Sequence, residues 1–324
     1  MKILVIGGAG YIGSHVVKAL LTAKHEVCVY DNLSTGLEQN LFADAQFIRG
    51  DILDYDTLLP AMKQNIEAVI FLAAKKAVGE SMENPEKYAN NNLVGALNTL
   101  NAMTEAGVKK IIFSSSAAVY GMPEYLPVDE KHPTSPINFY GFTKLDMENY
   151  MKWYDTLKGI KFVSLRYFNA VGYDEDGIVK GLENKPQNLL PIIMEAACGM
   201  RDKVMIFGND YDTRDGTCIR DYIHVSDLAS AHLCAIDYLN KSNESQIFNL
   251  GTEKGISVLE MLLKTQEITG KEISYEFAPR RAGDPAALLA SPQKANKLLG
   301  WRAMHSSLEN IITSTWKVYK HMAI

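Results

Sequence analysis

A tyrosine and a lysine near the middle of the chain stand at a spacing that suits proton transfer. Tyr140 and Lys144 lie four residues apart at the start of a helical stretch, which places both side chains on one helix face. A free tyrosine is a poor base at neutral pH because its pKa is about 10. A cation one turn away favours the phenolate, and a pKa near 7 requires roughly 4 kcal/mol of differential stabilisation. The pair predicts an acid–base site, although ordinary amphipathic helices show the same spacing.

Three consecutive serines strengthen this interpretation. Residues 114–116 follow an apolar run at residues 110–113 that is typical of a buried strand. At the carboxyl end of a central strand, a serine hydroxyl can donate to a substrate oxygen and orient it against Tyr140. The alternative is a cluster that only bonds its own backbone. Together with Tyr140 and Lys144, the run favours a catalytic role for Ser116.

A glycine-rich turn near the start of the chain predicts a dinucleotide site. The segment GGAGYIG at residues 7–13 stands between an apolar strand pattern and an amphipathic helix pattern. The free N–H groups and positive dipole of such a helix start attract a pyrophosphate. Asp31 follows the second apolar run, where a carboxylate accepts the ribose hydroxyls of adenosine and repels a 2′-phosphate. The order of these features predicts NAD rather than NADP.

These side chains need a scaffold that gathers strand ends and helix starts at one edge. Apolar runs predict strands at residues 2–6, 26–30, 46–48, 68–72, 110–114 and 161–166. Helical patterns alternate with them at residues 11–23, 55–63, 85–106 and 139–157. Six strands with helical crossovers predict an α/β fold built on a doubly wound parallel (Rossmann) sheet. The ligand should then lie outside the carboxyl ends of the strands.

The pattern becomes mixed beyond about residue 169, where long loops rich in Gly, Asn, Asp and Pro separate short elements. We therefore expect two domains with a cleft between them. An NAD-binding domain would cover residues 1–168, and residues 225–250 would return to it. A smaller mixed α/β domain, which binds the substrate, would cover residues 169–324.

Composition excludes several classes of function. Of 324 residues, 47% are hydrophobic and 22% are charged, and the net charge is −5 without a basic stripe, so we expect no nucleic-acid partner. The four cysteines lack the spacing of a metal site or a disulfide framework, so we expect no metal. Nothing approaches the ~20 apolar residues of a membrane span, and the N-terminal apolar run is too short for a signal peptide. The expected location is the cytoplasm, without a membrane partner.

Taken together, the motifs resemble the extended short-chain dehydrogenase/reductase family, and within it the UDP-glucose 4-epimerase (UDP-galactose 4-epimerase) branch. The likeness runs nearly end to end. It includes GGAGYIGSH from residue 7, SSSAAVYG from residue 114, YGFTK from residue 140, RYFN from residue 166, RDYIH from residue 220 and APRRAGD from residue 278. So many segments in the right order make a chance resemblance negligible.

The resemblance implies which residues hold the cofactor and which bind the substrate. The residues that would hold NAD are Gly7, Gly10, Tyr11, Ile12, Gly13, Asp31, Asn32, Leu33, Ser34, Thr35, Gly36, Asp51, Ile52, Leu72, Ala73, Ala74, Lys76, Asn91, Ser114, Tyr140, Lys144 and Tyr167. Those that would bind a UDP-sugar are Lys76, Ser116, Tyr140, Asn169, Asn188, Leu189, Phe207, Arg220, Arg281, Asp284 and Leu288. The chemistry agrees, because two arginines can neutralise a diphosphate with forked hydrogen bonds.

A few positions depart from the family pattern. Phe71 and Leu72 stand where the family often has His-Phe. Ala74 stands where Gly is common, and Lys75 where an apolar residue is common. These positions adjoin the cofactor, so the expected effect is an altered NAD affinity at most. Leu288 stands where some members have Tyr and others a smaller residue, and it leaves extra room beside the sugar C2 substituent.

The activity implied by the resemblance is the interconversion of UDP-glucose and UDP-galactose through a transient 4-ketose. Tyr140 would take the proton of the sugar 4-hydroxyl, and Ser116 would hold its oxygen while the C4 hydride passes to NAD. UDP-N-acetylglucosamine and UDP-N-acetylgalactosamine stay open as further substrates. By analogy with the family, the chain would form a homodimer through residues 85–106 and 139–157.

Three other activities stay open as alternatives. Another UDP-sugar 4-epimerase, acting on uronates or pentoses, would use the same residues. A sugar-nucleotide 4,6-dehydratase would carry an Asp-Glu pair where this chain has Ala117 and Ala118. A non-catalytic NAD-sensing scaffold would not need Tyr140, Lys144 and Ser116.

Overall fold

A seven-stranded parallel sheet forms the centre of the computed structural model, which describes residues 1–183, 186–281 and 283–322. The strands are β1 Lys2–Ile6, β2 Glu26–Asp31, β3 Gln46–Arg49, β4 Ala68–Phe71, β5 Lys110–Ser116, β6 Lys161–Tyr167, β7 Asn169–Val171, β8 Val204–Phe207, β9 Ile219–His224, β10 Gln246–Leu250, β11 Gly255–Ser257, β12 Tyr275–Ala278 and β13 Ala287–Leu288. The α-helices are α1 Tyr11–Thr22, α2 Tyr55–Met62, α3 Val78–Glu83, α4 Pro85–Tyr88, α5 Gly95–Ala106, α6 Phe139–Lys158, α7 Leu189–Ala197, α8 Val225–Ser242, α9 Val258–Thr269, α10 Gln293–Leu298 and α11 Leu308–Tyr319.

The order of the strands creates a crevice at the centre of the sheet. Across the sheet the order is β10-β6-β5-β4-β1-β2-β3, and all of these pairs are parallel. The chain therefore runs outward in one direction from β1 and in the other from β4. A ligand is expected outside the carboxyl ends of these two strands. The predicted doubly wound α/β fold is confirmed.

The central strands of this sheet are buried on both faces, as their unbroken apolar runs predict, whereas the edge strand β3 has exposed residues at both ends. Along β1, Ile3 and Val5 belong to an apolar core on one face, whereas Leu4 and Ile6 belong to a second core on the other. Helices α1 and α8 contribute to the first core, and α2, α5 and α6 contribute to the second. Helices therefore cover both faces of the sheet.

The single helix predicted over residues 85–106 is wrong in one detail. A π-helical turn, Ala89–Val94, separates α4 from α5. The Asn92 side chain is drawn to the loop after β4, where its Oδ1 accepts from the Lys75 N–H at 2.8 Å and its Nδ2 donates to the Lys75 carbonyl at 3.0 Å. Such turns often occur at functional sites, and this one contains the predicted cofactor residue Asn91.

The second half of the chain adds two smaller sheets. Strand β9 pairs with β7, β11 and β13, and β8 pairs with β12. Helices α7, α9 and α11 pack around a separate apolar core beside them. Strand β10 returns to the central sheet beside β6. The division into domains near residue 168 stays a prediction.

Candidate active site

The turn after β1 is shaped for a phosphate-bearing ligand. Gly7 has a φ of +86°, and a Cβ on Gly13 would lie 2.1 Å from the Gly7 carbonyl oxygen, so both positions require glycine. Gly10, the N-cap of α1, offers no side-chain hydrogen bond to the first turn of the helix. By contrast, Asp54 caps α2 with its side chain. The uncapped N–H groups of α1 fit the pyrophosphate of a dinucleotide.

The Asp31 carboxylate lies against this turn at the end of β2. One oxygen accepts from the Ala9 N–H at 3.0 Å, and the other accepts from the Leu33 N–H at 2.8 Å. Burial raises the pKa of Asp31, while these two N–H groups lower it. Asn32 donates to the Asp51 carboxylate at 2.8 Å, which joins the loops after β2 and β3. Two hydrogen bonds thus fix the acid beside the glycine turn, and its contact with an adenosine ribose stays a prediction.

The start of α6 packs directly against the end of β5. Asn138 caps the helix by accepting from the Gly141 N–H at 2.8 Å. A Cβ on Gly141 would lie 2.4 Å from the Ala118 carbonyl oxygen, so glycine permits this close approach. Tyr140 and Lys144, in the first turns of the helix, are therefore held beside the serines of β5.

Lys144 is buried between the serine run and the Tyr140 ring. Its Nζ donates to the Ser114 carbonyl at 2.7 Å and lies 5.8 Å from the centroid of the Tyr140 ring. The same Nζ lies 4.9 Å from the centre of the Phe113 ring. Only 3% of Lys144 is exposed. The structure thus brings Tyr140 and Lys144, which share α6, next to the serine run at the end of β5.

Burial governs the protonation of both residues. It raises the pKa of Tyr140, although the neighbouring Ser116 hydroxyl lowers it. It also lowers the pKa of Lys144 to about 7, while the Glu148 carboxylate raises it. Within the protein alone, burial outweighs the effect of Ser116. A phenolate at neutral pH therefore needs nearby positive charge, from protonated Lys144 and from a bound cation.

The second half of the chain places two arginines beside groups that suit a nucleotide. Arg220 donates to the Pro285 carbonyl at 2.9 Å, and its Nη2 lies 3.3 Å from a carboxylate oxygen of Asp284. The Arg281 guanidinium stacks 3.9 Å from the centroid of the Phe207 ring. This cation and aromatic ring fit a diphosphate and a base. Ala282, inside this motif, lies outside the described residues.

Leu288 lies close to the serine end of β5. In β13 it pairs with Arg220 of β9. It packs against an apolar cluster that contains Ala117 and Phe168. The residue is only partly buried, so part of its side chain remains available to a ligand.

Other predicted site residues lie at the start of α1, after β4 and at the start of α7. Tyr11 and Asn188 line one small pocket, together with Glu183, which was not among the predicted residues. Lys76, after β4, forms an ion pair with Glu183. Leu189 begins α7, directly after Asn188.

Three predicted residues make contacts of a more structural kind. The Tyr167 hydroxyl lies 2.7 Å from Nε2 of His232. Asn169 donates to the Asp221 carbonyl at 2.9 Å. Ile52 is buried. The structure shows contacts within the protein for these three residues, and their contacts with a ligand stay predictions.

Two buried residues beside the site, Glu148 and Arg166, were not predicted from the sequence, and their side chains form an ion pair at 2.6 Å. The spacing of Glu148, four residues after Lys144, is a signal that could have found it. Among the described residues, no cluster of His, Cys, Asp or Glu could hold a metal ion. The described helices include none long and apolar enough to cross a bilayer.

Comparison with known proteins identifies one family. The model of the NAD dependent epimerase/dehydratase family matches residues 3–251. The chain is 48% identical over 320 residues to UDP-glucose 4-epimerase of Streptococcus mutans, with 98% of this chain and 96% of the relative covered. A crystal structure of UDP-glucose 4-epimerase from Brucella ovis in complex with NAD has a TM-score of 0.96 at 42% identity, covering 99% and 98% of the two chains. Another, from Bifidobacterium longum in complex with NAD⁺ and UDP, has a TM-score of 0.93 at 39% identity, with the same coverage.

Proposed function

The chain belongs to the NAD dependent epimerase/dehydratase family, and on that premise we propose that it interconverts UDP-glucose and UDP-galactose with NAD as its cofactor. The proposal rests on one observation. Tyr140, Lys144 and the serine run lie together at the carboxyl end of β5. This end of the sheet also holds the glycine turn after β1. Relatives of nearly the same length, named UDP-glucose 4-epimerase, support it.

The chemistry of the protein is proton transfer at the sugar 4-oxygen. The glycine turn after β1 and Asp31 would hold NAD, which would supply a reversible hydride acceptor for the sugar C4. Tyr140, as phenolate, takes the proton of the 4-hydroxyl and gives it back to the epimer. The Ser116 hydroxyl donates to the same oxygen and fixes its position. Protonated Lys144, held by the Ser114 carbonyl, stabilises the phenolate.

The second half of the chain would hold the nucleotide of the substrate. Arg220 and Arg281 carry the positive charge that a diphosphate needs. Because Asp284 already lies 3.3 Å from Arg220, a bound diphosphate competes with this carboxylate for the guanidinium. The freed Asp284 can then accept hydroxyls of the uridine ribose. Phe207 offers its ring to the uracil.

Two measurements on the purified protein test the proposal. Mass spectrometry of the nucleotide released on denaturation should find NAD(H), because the Asp31 carboxylate accepts the hydroxyls of the adenosine ribose and repels a 2′-phosphate. Chromatography should show conversion of UDP-galactose to UDP-glucose without added nucleotide. Released NADP would contradict the cofactor assignment. A 4-keto-6-deoxy product would instead identify a dehydratase.

The position of Leu288 favours a second substrate pair, and we extend the proposal to some turnover of UDP-N-acetylglucosamine. Leucine is shorter than tyrosine, and here it presents an apolar wall continuous with Ala117 and Phe168. An acetamido methyl group can pack on this wall, although its carbonyl and N–H still need polar partners. The ratio of kcat/KM for the N-acetyl and hexose pairs should fall in Leu288→Tyr. A wild type without N-acetyl activity, or a tyrosine variant that keeps it, contradicts this extension.

We further propose that the active species is a homodimer in the cytoplasm, paired through α5 and α6. Phe142, Trp153 and Leu157 lie on α6 with 44%, 64% and 68% of their surfaces exposed. Their spacing of eleven and four residues places them on one helix face. Such an apolar face is typical of an interface, and a second copy of the same face is its natural complement. Light scattering should show a dimer for the wild type and a monomer for Trp153→Glu, whereas a monomeric wild type contradicts the proposal.

A further inference from the structure

A buried carboxylate lies one helical turn beyond Lys144, outside the residues assigned to the reaction. Glu148 on α6 is completely buried. Its oxygens accept from Nε of Arg166 at 2.9 Å and from Nη2 at 2.6 Å. The Ser115 hydroxyl donates to the same carboxylate at 2.6 Å. A buried ion pair brings little net stability, so stability by itself does not account for this network.

Adjacent residues of β5 hold Lys144 and Glu148 in place. The Ser114 carbonyl accepts from Lys144, and the Ser115 hydroxyl donates to Glu148. On α6 the two side chains are four residues apart and share one face. Strand and helix therefore fix the carboxylate one turn from the ammonium.

The charge of Glu148 acts on Lys144 directly. The titratable side chains that contact Lys144 or Glu148 are Tyr140 on α6, whose ring centroid lies 5.8 Å from the Lys144 Nζ, and Arg166 on β6, which donates to Glu148 and also to the Tyr120 hydroxyl. Burial lowers the pKa of Lys144, and Glu148 raises it. The carboxylate thus opposes the loss of the ammonium proton.

We propose that Glu148 is a positioning residue that keeps Lys144 protonated while Tyr140 acts as the base, with Arg166 and Ser115 holding the carboxylate. This inference rests on the proposed function. When Tyr140 and Lys144 share one proton, they exist either as phenolate with ammonium or as phenol with amine. Only the first pair provides a base, and a negative charge beside Lys144 favours it. Loss of this charge lowers kcat and leaves KM for the UDP-sugar nearly unchanged.

The experiment follows the protonation of Lys144 in the NAD-loaded protein. The ¹³Cε shift of labelled lysine, assigned with Lys144→Met, is titrated in parallel with kcat and KM for UDP-galactose. Glu148→Gln should lower the titration midpoint of Lys144 by roughly one pH unit and kcat at pH 7 by about tenfold. Glu148→Asp keeps the charge and should restore most of both values.

Arg166→Gln is the matched control, because it breaks the same ion pair but removes the opposite charge. A merely structural pair predicts the same change in both glutamine variants. The proposal predicts opposite directions, with the Lys144 midpoint raised in Arg166→Gln. An unmoved midpoint in Glu148→Gln, or a shift of the same sign in both, overturns it. If Glu148→Gln does not fold, Arg166→Gln alone tests the proposal. A raised Lys144 midpoint in that variant supports it, and a lowered or unmoved midpoint overturns it.

The two readouts separate this inference from the proposed function. The titration of Lys144 needs no turnover. A wild type that does not convert UDP-galactose contradicts the proposed function and leaves the midpoints interpretable. A converting wild type with an unmoved midpoint in Glu148→Gln contradicts only the role of Glu148.

Discussion

Replacement of Lys144 by methionine should stabilise the protein while it abolishes most of the activity. Methionine has a similar length and no charge to bury. Burial lowers the pKa of Lys144 from 10.5 to about 7. At 1.36 kcal/mol per pH unit, this shift means that the folded state loses roughly 5 kcal/mol by holding the ammonium.

The sign and the pH range follow from proton linkage. Between pH 7 and pH 10.5 the unfolded chain carries the lysine proton and the folded chain does not, so wild-type stability rises with pH. Below pH 7 the folded and the unfolded states both carry the lysine proton, so the full destabilisation of roughly 5 kcal/mol is present. The advantage of Lys144→Met should therefore be largest at pH 6 and smaller by roughly 3 kcal/mol at pH 9. The lost hydrogen bond to the Ser114 carbonyl adds an offset that does not vary with pH.

Urea unfolding at pH 6 and pH 9 measures this difference, with NAD held at one concentration throughout. Lys152→Met is the control, because Lys152 is exposed on the same helix and its replacement should change stability equally at both pH values. An advantage of Lys144→Met that is the same at pH 6 and pH 9 refutes the reasoning. It would mean that the wild-type site holds Lys144 without an energetic penalty.

Three further predictions concern the base, the glycine turn and the response to acid. Tyr140→Phe keeps the ring and removes the proton acceptor, so turnover should fall by ~10²–10⁴-fold with NAD still bound; near wild-type activity would exclude this role. Gly13→Ala places a Cβ 2.1 Å from the Gly7 carbonyl oxygen, so the purified variant should carry little NAD. The control Gly79→Ala, whose Cβ meets no atom within 4 Å, should carry the normal amount, and equal NAD content in both contradicts the cradle. Burial lowers the pKa of three histidines to about 4, namely His15, His224 and His232. The unfolded chain therefore binds protons below about pH 6.5 that the folded chain does not, so urea unfolding at pH 5 should show a loss of roughly 2 kcal/mol per histidine relative to pH 7. Equal stability at the two pH values would contradict this account.

The sequence by itself determined the features that depend on local spacing. Strand and helix follow from periodicity over a few residues, so the alternation that builds the doubly wound sheet was readable without tertiary contacts. The glycine turn was predictable for the same reason, because the positive φ of Gly7 and the close approach of Gly13 to the Gly7 carbonyl arise within seven residues of chain. Tyr140 and Lys144 share a helix face by spacing alone.

Tertiary structure decided the charge states and the partners. The pKa of Lys144 is lowered because α6 packs against β5 and buries the ammonium. That burial cannot be predicted from the spacing of residues in the sequence. The pairing of Glu148 with Arg166, on separate elements, sets the charge beside it. The π-helical turn at Asn92 likewise follows from contacts with Lys75 after β4.

The substrate half depended most on the tertiary fold. Arg220 meets Asp284, and Arg281 stacks on Phe207, across more than sixty residues of chain in each case. The physical reason is the separation along the chain over which each kind of interaction acts. Backbone sterics and side-chain periodicity act between neighbours in sequence, whereas desolvation and ion pairing act between whatever groups the fold brings within a few ångströms of each other.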